Sequence, residues 1–350
     1  MNFASDNWAG AAEPIIDALA AEARRAAPAY GRDPLSEAAA ADFGRVFERE
    51  VAVFFVATGT AANALSLAAL ARPAGLIFCH RAAHIITDEC SAPEFATGGA
   101  KLVGMQGPQA KITPAELAVA LGRFPASAVR HGQPAAISIS QTTEFGGVYR
   151  PQEIAAIGKV AHDAGLPLHM DGARFANAVA ALGVAPADLT WRAGVDVLSF
   201  GATKNGAVAA EAIVFFDPGK AANMPFLRQR MGHLLSKGRF VAAQFRAFFA
   251  DGLWLRLASH ANAMASRLAA GLEKSPSARL AFPAEANEVF AFIATEAMER
   301  AREAGALFYE WPPDTLPADQ QPRSGEALYR LVTSCRTEAV EVDRFLAFMR

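Results

Sequence analysis

The sequence predicts an α/β fold in which a mostly parallel sheet is flanked by helices and is followed by a smaller C-terminal α+β domain. Two observations support this fold class. Between Val51 and Phe216, short apolar segments alternate with segments that favour helices, as is typical of parallel sheets with helices on both faces. In addition, chemically reactive side chains directly follow several of the apolar segments. Because open α/β sheets bind ligands where the carboxyl ends of their strands meet, we expect a binding site at that edge.

Strands and helices follow one another along the central part of the chain. Apolar runs rich in β-branched and aromatic residues predict strands at Val51–Val56, Gly75–Cys79, Ala135–Ser140, Pro167–Met170, Val195–Phe200 and Ala212–Phe216. Alanine-rich or amphipathic segments predict helices at Asp33–Glu50, Ala61–Ala71, Pro151–His162 and Gly172–Leu182. This order predicts strand–helix–strand units, in which the two strands of a unit run parallel.

The C-terminal third of the chain has a different pattern. A long helical stretch runs from Lys237 through Leu272. After it, Glu288–Thr295 and Ala327–Thr333 predict strands on either side of a helix at Ala297–Ala304. These elements predict a compact α+β unit.

The length of 350 residues favours two domains, because a single hydrophobic core rarely grows that large. We expect the boundary inside the long helical stretch, near residues 251–253. A large domain would cover residues 1–252, including an N-terminal arm over 1–15, and a small domain would cover 253–350. The Pro-rich segment Trp311–Pro322 is predicted to be a surface loop.

Composition and charge argue against several classes of protein. The chain is 52% hydrophobic and 19% charged, which indicates a well-packed globular protein, and its net charge of −2 provides no basic surface for nucleic acid or membranes. The three cysteines form no CxxC pair and no zinc-binding spacing, which favours a reducing compartment without a metal site. Because the first ten residues lack the pattern of a signal peptide, we expect a cytoplasmic protein.

A carboxylate and a lysine follow two successive predicted strands. Asp171 ends the first, and Lys204 follows the second about 30 residues later, which is the length of one strand–helix–strand unit. Both side chains should therefore reach the same edge of the sheet. This pair suits pyridoxal phosphate, since a lysine forms a Schiff base with its aldehyde and an aspartate keeps its pyridine nitrogen protonated. An exposed lysine and a helix-capping aspartate would have the same spacing.

The uncharged stretch Val51–Ala71 supplies a third element. It is long enough for a membrane span, but its residues predict a strand, a turn at Thr58-Gly59-Thr60 and a helix. The start of a helix after a glycine turn presents free backbone N–H groups and a positive dipole, which favour phosphate. Many strand–helix turns contain Thr-Gly, so this signal gains weight only beside Asp171 and Lys204.

Motifs of one enzyme family occur along nearly the whole chain. In order, they are SDNWAG at 5–10, YGRDP at 30–34, FVATGTAAN at 55–63, AAHI at 82–85, TTEFGGVY at 142–149, HMDGARF at 169–175, SFGATKNG at 199–206 and RLVT at 330–333. With these motifs the chain resembles the threonine aldolases, which are pyridoxal-phosphate enzymes of fold type I in the β-eliminating lyase group. The resemblance implies a transferase-like large domain and a homo-oligomer, dimer or tetramer, with its active site near the subunit interface.

By this resemblance, Lys204 carries the Schiff base and Asp171 pairs with the pyridine nitrogen. Gly59 and Thr60 bind the phosphate, and His84 stacks on the cofactor ring.

The resemblance also implies a set of substrate-binding residues. Arg174 falls on an arginine near the cofactor's phenolic oxygen and the substrate carboxylate, and Ser5 and Arg330 fall on the remaining carboxylate-binding positions. Simpler alternatives are a first-turn helix residue, a helix cap near Ala11 and a strand-edge charge, respectively. Many family members continue after RLVT with His-x-Asp, whereas this chain has Ser334-Cys335-Arg336, so no role is transferred to that segment.

One histidine and two basic residues are further candidates for the site. His131 lies just before the strand Ala135–Ser140 and, after a one-residue adjustment, matches a family histidine near the substrate hydroxyl. Lys237 and Arg230 belong to a basic stretch that the resemblance puts near the phosphate, either in the same subunit or in a neighbouring one, although a solvated helix face explains them equally well. The remaining histidines are expected at the surface or in the core.

The reaction implied is retro-aldol cleavage of a small amino acid, threonine or allo-threonine, to glycine and acetaldehyde. The base for the β-hydroxyl proton is left open among His84, His131 and a water molecule. The alternative is another fold type I enzyme, a β-eliminating lyase or a transaminase, with the same Lys204 and Asp171. A regulator without turnover is disfavoured because no DNA-binding module is visible, and a dehydrogenase because the chain lacks G-x-G-x-x-G after an early strand.

Overall fold

Two β-sheets organise the molecule. A computed structural model of the chain describes residues 1–125, 127–313, 316 and 320–350. Within these residues, one sheet has seven strands and the other has four. The predicted surface loop Trp311–Pro322 lies partly outside the described residues. Among the described helices, none has the length and hydrophobicity that crossing a membrane would require.

The large sheet is mostly parallel, as predicted. Its strands are β1 (Ala52–Val56), β2 (Leu76–His80), β3 (Lys101–Met105), β4 (Pro134–Ser140), β5 (Leu168–Gly172), β6 (Val197–Gly201) and β7 (Glu211–Phe215). Their spatial order is β1-β7-β6-β5-β4-β2-β3. Strand β7 runs antiparallel to both of its neighbours, and the other pairs are parallel. The carboxyl ends of β4, β5 and β6 therefore meet at one edge.

Helices accompany this sheet along the chain. They are α1 (Glu13–Glu22), α2 (Pro34–Val46), α3 (Gly59–Leu70), α4 (His84–Thr87), α5 (Ala92–Ala96), α6 (Pro114–Gly122), α7 (Pro151–Asp163), α8 (Phe175–Leu182), α9 (Met224–Arg230), α10 (Arg239–Phe249) and α11 (Leu253–Glu273). Residues on opposite faces of β6 show that both faces of the sheet are covered. Val197 packs in a cluster with Leu65 of α3, whereas Phe200 packs with Phe43 of α2 and Phe245 of α10.

The uncharged stretch Val51–Ala71 forms β1, a turn and α3, so its interpretation as a strand and a helix is confirmed. The ring centroids of Phe43 and Phe200 are 5.4 Å apart. Phe200 lies four positions before Lys204, so this aromatic core fixes the strand that leads to the lysine.

The C-terminal part contains the antiparallel sheet. Its elements are β8 (Ala278–Leu280), β9 (Glu288–Ala294), α12 (Thr295–Glu303), β10 (Tyr309–Glu310), β11 (Glu326–Val332) and α13 (Ala339–Leu346). The spatial order is β10-β11-β9-β8, and every pair is antiparallel.

The predicted long helical stretch is two helices, because α10 ends at Phe249 and α11 begins at Leu253. Between them, Asp251 and Gly252 have φ angles of 50° and 67°, which a continuing right-handed helix does not allow. This break lies at the predicted domain boundary, and the division itself stays a prediction. The N-terminal arm contacts the small sheet, because the N–H of Val332 donates to the carbonyl oxygen of Phe3 at 2.9 Å.

Candidate active site

Asp171 and Lys204 lie at the carboxyl ends of neighbouring parallel strands. In the register of β5 and β6, Asp171 is opposite Ser199. Lys204 follows β6 in a short 3₁₀ turn, after which Gly206 has a φ angle of 96°. Both side chains line a cavity of about 290 Å³, which we call the cofactor cavity.

The Asp171 carboxylate is held on both of its oxygens. Asn63 Nδ2 donates to Oδ2 at 2.8 Å, and the Ala173 N–H donates to Oδ1 at 3.0 Å. Asp171 is only 6% exposed, so these bonds replace water in keeping the carboxylate in place. A fixed carboxylate of this kind can pair with a protonated ring nitrogen.

The N-terminus of α3 forms another wall of the cofactor cavity. Thr58 caps the helix, since its Oγ1 accepts a hydrogen bond from the Ala61 N–H at 3.1 Å. Thr58, Gly59 and Thr60 all line the cavity. The space beside the Gly59 Cα is open, with no atom within 4 Å of the position that a Cβ would take. A phosphate group can therefore approach the first N–H groups of the helix.

His84 begins α4 and is anchored to Glu89. Its Nδ1 lies 2.8 Å from Glu89 Oε1, and this hydrogen bond raises the pKa of His84. Asn63 Nδ2 also donates to Glu89 Oε1 at 2.8 Å, so one amide group bridges Glu89 and Asp171. Burial raises the pKa of Glu89, and the nearby Asp171 charge acts in the same direction. His84 lines the cofactor cavity, as a ring-stacking residue must.

A second cavity of about 610 Å³, which we call the substrate cavity, extends from the first toward the small sheet. Ser5 and Arg330 both line it. The Ser5 hydroxyl caps the turn Asp6–Trp8 by accepting from the Asn7 N–H at 3.1 Å, which differs from the cap near Ala11 considered above.

Arg330 stands on β11 with its guanidinium over two aromatic rings. Its central carbon is 4.5 Å from the Trp311 ring centroid and 5.8 Å from that of Tyr309. Its Nε is buried and has no hydrogen-bond partner in the described structure. Burial lowers the pKa of Arg330, and the Glu288 carboxylate opposes that effect. A carboxylate ligand would satisfy this free donor and restore the lost solvation.

Arg174 lines both cavities but is already paired. Its Nε and Nη2 donate to the two oxygens of Asp6 at 2.7 and 3.0 Å, and its Nη1 lies 3.4 Å from Glu288 Oε2. Burial alone would lower the pKa of Arg174, but the two carboxylates outweigh it and raise the pKa. Any contact with a substrate carboxylate would therefore be shared with Asp6.

Besides Glu89 and Glu288, two more buried carboxyl groups at the site were missed from the sequence. Glu144 follows β4, and burial raises its pKa to about 7. Glu211 begins β7 beside Lys204, and burial raises its pKa to about 7 as well, against the opposing positive charge of that lysine. Both line the cofactor cavity. The only sequence signal was their position next to predicted strands.

His131 is not brought to the site. It lies in the turn before β4, with its ring 6.0 Å from that of Phe124, whereas the cavities open at the other end of the same strand. The prediction that His131 lies beside the substrate hydroxyl in the site of its own chain is therefore wrong. His169 is fully buried and bonded to Ser138 and Ser199 at 2.9 Å each, as expected of a core residue.

The cofactor cavity fits pyridoxal phosphate. It combines a lysine, a fixed carboxylate and an open helix N-terminus. In addition, Asn63 Oδ1 and Glu89 Oε2 are buried without hydrogen-bond partners in the described structure, which points to a missing polar group nearby. Within the described residues, no cluster of His, Cys, Asp and Glu could hold a metal ion.

Comparisons with known proteins agree with this geometry. A family model described as beta-eliminating lyase matches residues 2–296. Low specificity L-threonine aldolases from a Pseudomonas species and from Pseudomonas aeruginosa are 43% and 44% identical over 308 residues, which is 88% of this chain and 88% of each relative. A solved threonine aldolase from Leishmania major has a TM-score of 0.91 at 30% identity and covers 99% of this chain and 98% of its own.

The fold and the lysine–aspartate pair define a pyridoxal-phosphate-dependent enzyme of fold type I. Serine palmitoyltransferase from Sphingomonas wittichii shares this fold, with a TM-score of 0.70 at 17% identity over 100% of this chain and 86% of that protein. The chain belongs to the threonine aldolases, which are lyases of the beta-eliminating lyase family.

Proposed function

We propose that this chain cleaves a β-hydroxy-α-amino acid, threonine or allo-threonine, into glycine and an aldehyde. The observation that supports this most directly is the junction of the two cavities. Lys204 lines both of them, and Arg330 lines only the substrate cavity. An amino acid can thus direct its amino group to the lysine and its carboxylate to the arginine.

The cofactor would be held at three points. Lys204 binds its aldehyde carbon, Asp171 pairs with its ring nitrogen, and the N–H groups of Gly59 and Thr60 receive its phosphate. His84 covers the ring. When bound, pyridoxal phosphate supplies an electron sink for the bonds at the substrate's Cα. Asp171 would support that sink by pairing with the ring nitrogen, because two hydrogen bonds hold its carboxyl group in place.

The substrate would be oriented by its carboxylate. Arg330 offers a fork of donors with an unpaired Nε, and Ser5 lines the same cavity. Arg174 lines the same cavity and is held in place by its hydrogen bonds to Asp6, so it offers a second, fixed guanidinium group. Fixing the carboxylate turns the Cα–Cβ bond out of the plane of the ring, the orientation in which that bond breaks most readily.

We further propose a cytoplasmic homotetramer that acts in threonine catabolism and glycine formation, with its large domain over 1–252 and its small domain over 253–350. Phe95 is 79% exposed and Phe226 is 65% exposed, which supports burial of these side chains between subunits. Arg230 and Lys237 are candidates for reaching a neighbouring subunit's phosphate. Sedimentation velocity would distinguish a tetramer from a dimer or a monomer.

The test of the activity is direct. Purified protein with added pyridoxal phosphate should become yellow, and borohydride should remove the colour while linking the cofactor covalently to Lys204, as peptide mass mapping would show. L-threonine, D-threonine and both allo forms should then be assayed for glycine and acetaldehyde. A protein that never binds the cofactor, or that releases ammonia or exchanges amino groups instead of forming glycine, contradicts the proposal.

A further inference from the structure

Glu144 is a carboxyl group at the junction of the two cavities. It follows β4 at the carboxyl edge of the large sheet and lines both the cofactor cavity and the substrate cavity. We propose that Glu144 is the catalytic base that accepts the β-hydroxyl proton of the substrate. This assignment rests on the proposed function, because it requires a β-hydroxy-α-amino acid as the substrate.

The position of the reacting bond follows from the two ends of the substrate. The amino group must reach the cofactor near Lys204, and the carboxylate must reach Arg330, so the Cα–Cβ bond lies where the cavities join. The residues that line both cavities are Asn7, His84, Glu144, Arg174 and Lys204. The base is therefore sought in this set.

Most members of this set are unsuited to take the proton. Lys204 is committed to the cofactor, and Arg174 is held by Asp6 through two hydrogen bonds. His84 binds Glu89 through Nδ1, and that hydrogen bond raises its pKa and favours the protonated ring, which is a poorer base near neutral pH. Asn7 carries an amide, which is not a base near neutral pH, so Glu144 is the remaining candidate of the set.

The two oxygens of Glu144 have different surroundings. Oε1 accepts from the Ser140 hydroxyl at 2.7 Å and from the His84 backbone N–H at 2.9 Å. Oε2 is buried and has no hydrogen-bond partner among the described residues. The first oxygen anchors the carboxyl group, and the second is left as an acceptor for a ligand hydroxyl.

The electrostatic surroundings suit a base that works near neutral pH. Burial raises the pKa of Glu144 to about 7, and the Asp171 charge adds to this, whereas the bonds from Ser140 and His84 oppose it. A general base is most effective when its pKa lies near the working pH. The titratable or charged groups that interact with this carboxyl are Asp171, His84, Arg174, Cys79 and Tyr149.

The step balances without any further reactant. The hydroxyl proton moves to Glu144 Oε2, the Cβ–O bond becomes a carbonyl, and the Cα–Cβ bond breaks with its electron pair remaining on the Cα side. The aldehyde leaves. Cα then takes up one proton that comes from the solvent and not from Glu144, which gives glycine. Glu144 releases the proton that it accepted to the solvent, so the enzyme returns to its starting state.

The central experiment compares two reactions of Glu144→Gln. The variant keeps the shape of the side chain and an acceptor for Ser140, but it cannot accept the hydroxyl proton. Threonine cleavage should fall by about 10²- to 10⁴-fold. Exchange of the glycine Cα proton in D₂O, followed by NMR, needs no β-hydroxyl base and should stay within about threefold of wild type. Equal loss of both reactions, or unchanged cleavage, overturns the assignment.

The pH profile distinguishes Glu144 from His84. With wild type, kcat for threonine should fall below pH about 7, where Glu144 becomes protonated. In Ser140→Ala the fall should begin at higher pH, because the hydroxyl that lowers the pKa of Glu144 is gone. This fall in kcat at low pH should be absent in Glu144→Gln and present in His84→Asn. If the fall is instead absent in His84→Asn and present in Glu144→Gln, the base is the histidine and the proposal is overturned.

A measurement without the cofactor completes the test. Infrared difference spectra of the cofactor-free protein across neutral pH should show the C=O band of protonated carboxyls. Glu211 also contributes to this band, so Glu144→Gln should lose part of its intensity; undiminished intensity in the variant contradicts the assignment. Failure of the proposed function has a distinct signature, because wild type would then show neither threonine cleavage nor glycine exchange. That result overturns this assignment together with the proposed function.

Discussion

The active site lies between the carboxyl edge of the large sheet and an inner strand of the small sheet. On the large sheet, Asp171 and Lys204 stand at strand ends, where open α/β sheets bind their ligands. On the small sheet, Arg330 stands inside β11, and its direction depends on strand register and on the rings of Tyr309 and Trp311. The large-sheet edge provides the cofactor chemistry, and the small-sheet side of the site provides recognition of the substrate.

This difference can be tested first at Lys204. Lys204→Ala should retain cofactor through the N-terminus of α3 but lose cleavage by at least about 10⁴-fold, or roughly 5 to 6 kcal/mol of barrier, in a steady-state assay for glycine. The matched control is Lys159→Ala, an exposed lysine paired only with Asp163 at 2.6 Å, which should leave the rate unchanged. Full activity of Lys204→Ala would rule out the covalent role.

A smaller loss is expected at Asp171. Asp171→Asn keeps an acceptor for the Ala173 N–H but removes the negative charge opposite the cofactor nitrogen. We expect kcat to fall by about 10³-fold, or roughly 4 kcal/mol, with a changed absorption spectrum and an unchanged far-ultraviolet circular dichroism. Turnover equal to that of wild type would show that Asp171 only caps the turn at Ala173.

The small-sheet side of the site should respond differently. Arg330→Lys keeps the charge but loses the fork of donors, so the colour should remain and KM for threonine should rise with a lower kcat. A hydrogen bond to a charged group contributes about 1.5 to 3 kcal/mol, which predicts roughly a 10- to 100-fold loss in kcat/KM. Arg279→Lys, a small-sheet arginine bonded to Glu326 at 2.9 Å, is the control. Loss of colour in Arg330→Lys would contradict the division between the two sides of the site.

The smallest effect is expected at Asn63, which donates a hydrogen bond to Asp171 at the large-sheet edge. Asn63→Ala removes the amide that joins Asp171 to Glu89, but Asp171 keeps its bond from Ala173 and water can fill the space. We expect kcat to fall by less than about tenfold, or 1.4 kcal/mol. A loss as large as that of Asp171→Asn would show that Asn63, and not the strand end, fixes the carboxylate.

The large-sheet part of the site could be predicted because it depends on local chain geometry. A strand, a turn and a helix start fix Gly59 and Thr60, and one strand–helix–strand unit fixes the separation of Asp171 and Lys204. The alternation of elements likewise predicted the parallel sheet. The edge strand β3 was missed because the exposed residues Lys101 and Gly104 interrupt it and leave no continuous apolar run.

The remaining parts of the site depend on tertiary contacts. Glu144 and Glu89 face the cavity because β4 and α4 converge there, which no spacing in the chain reveals. His131 was misjudged because a residue next to a strand can lie at either of its ends, and it lies at the wrong one. Arg174 lies at the site, where the family resemblance put it. Its pairing with Asp6 could not be predicted because these two residues are far apart in the chain.

Asp6 has a consequence for the timing of synthesis. Its carboxylate accepts from Arg174 Nε at 2.7 Å and from Asn287 Nδ2 at 3.1 Å, so it connects the large-sheet side of the site with the start of β9. Phe3, three positions earlier, bonds to Val332. At about 5 to 20 residues per second, roughly 15 to 65 s separate the emergence of Asp6 and Val332 from the ribosome. The substrate-binding half of the site cannot assemble before then, so the nascent protein stays inactive at least until Val332 has been synthesised.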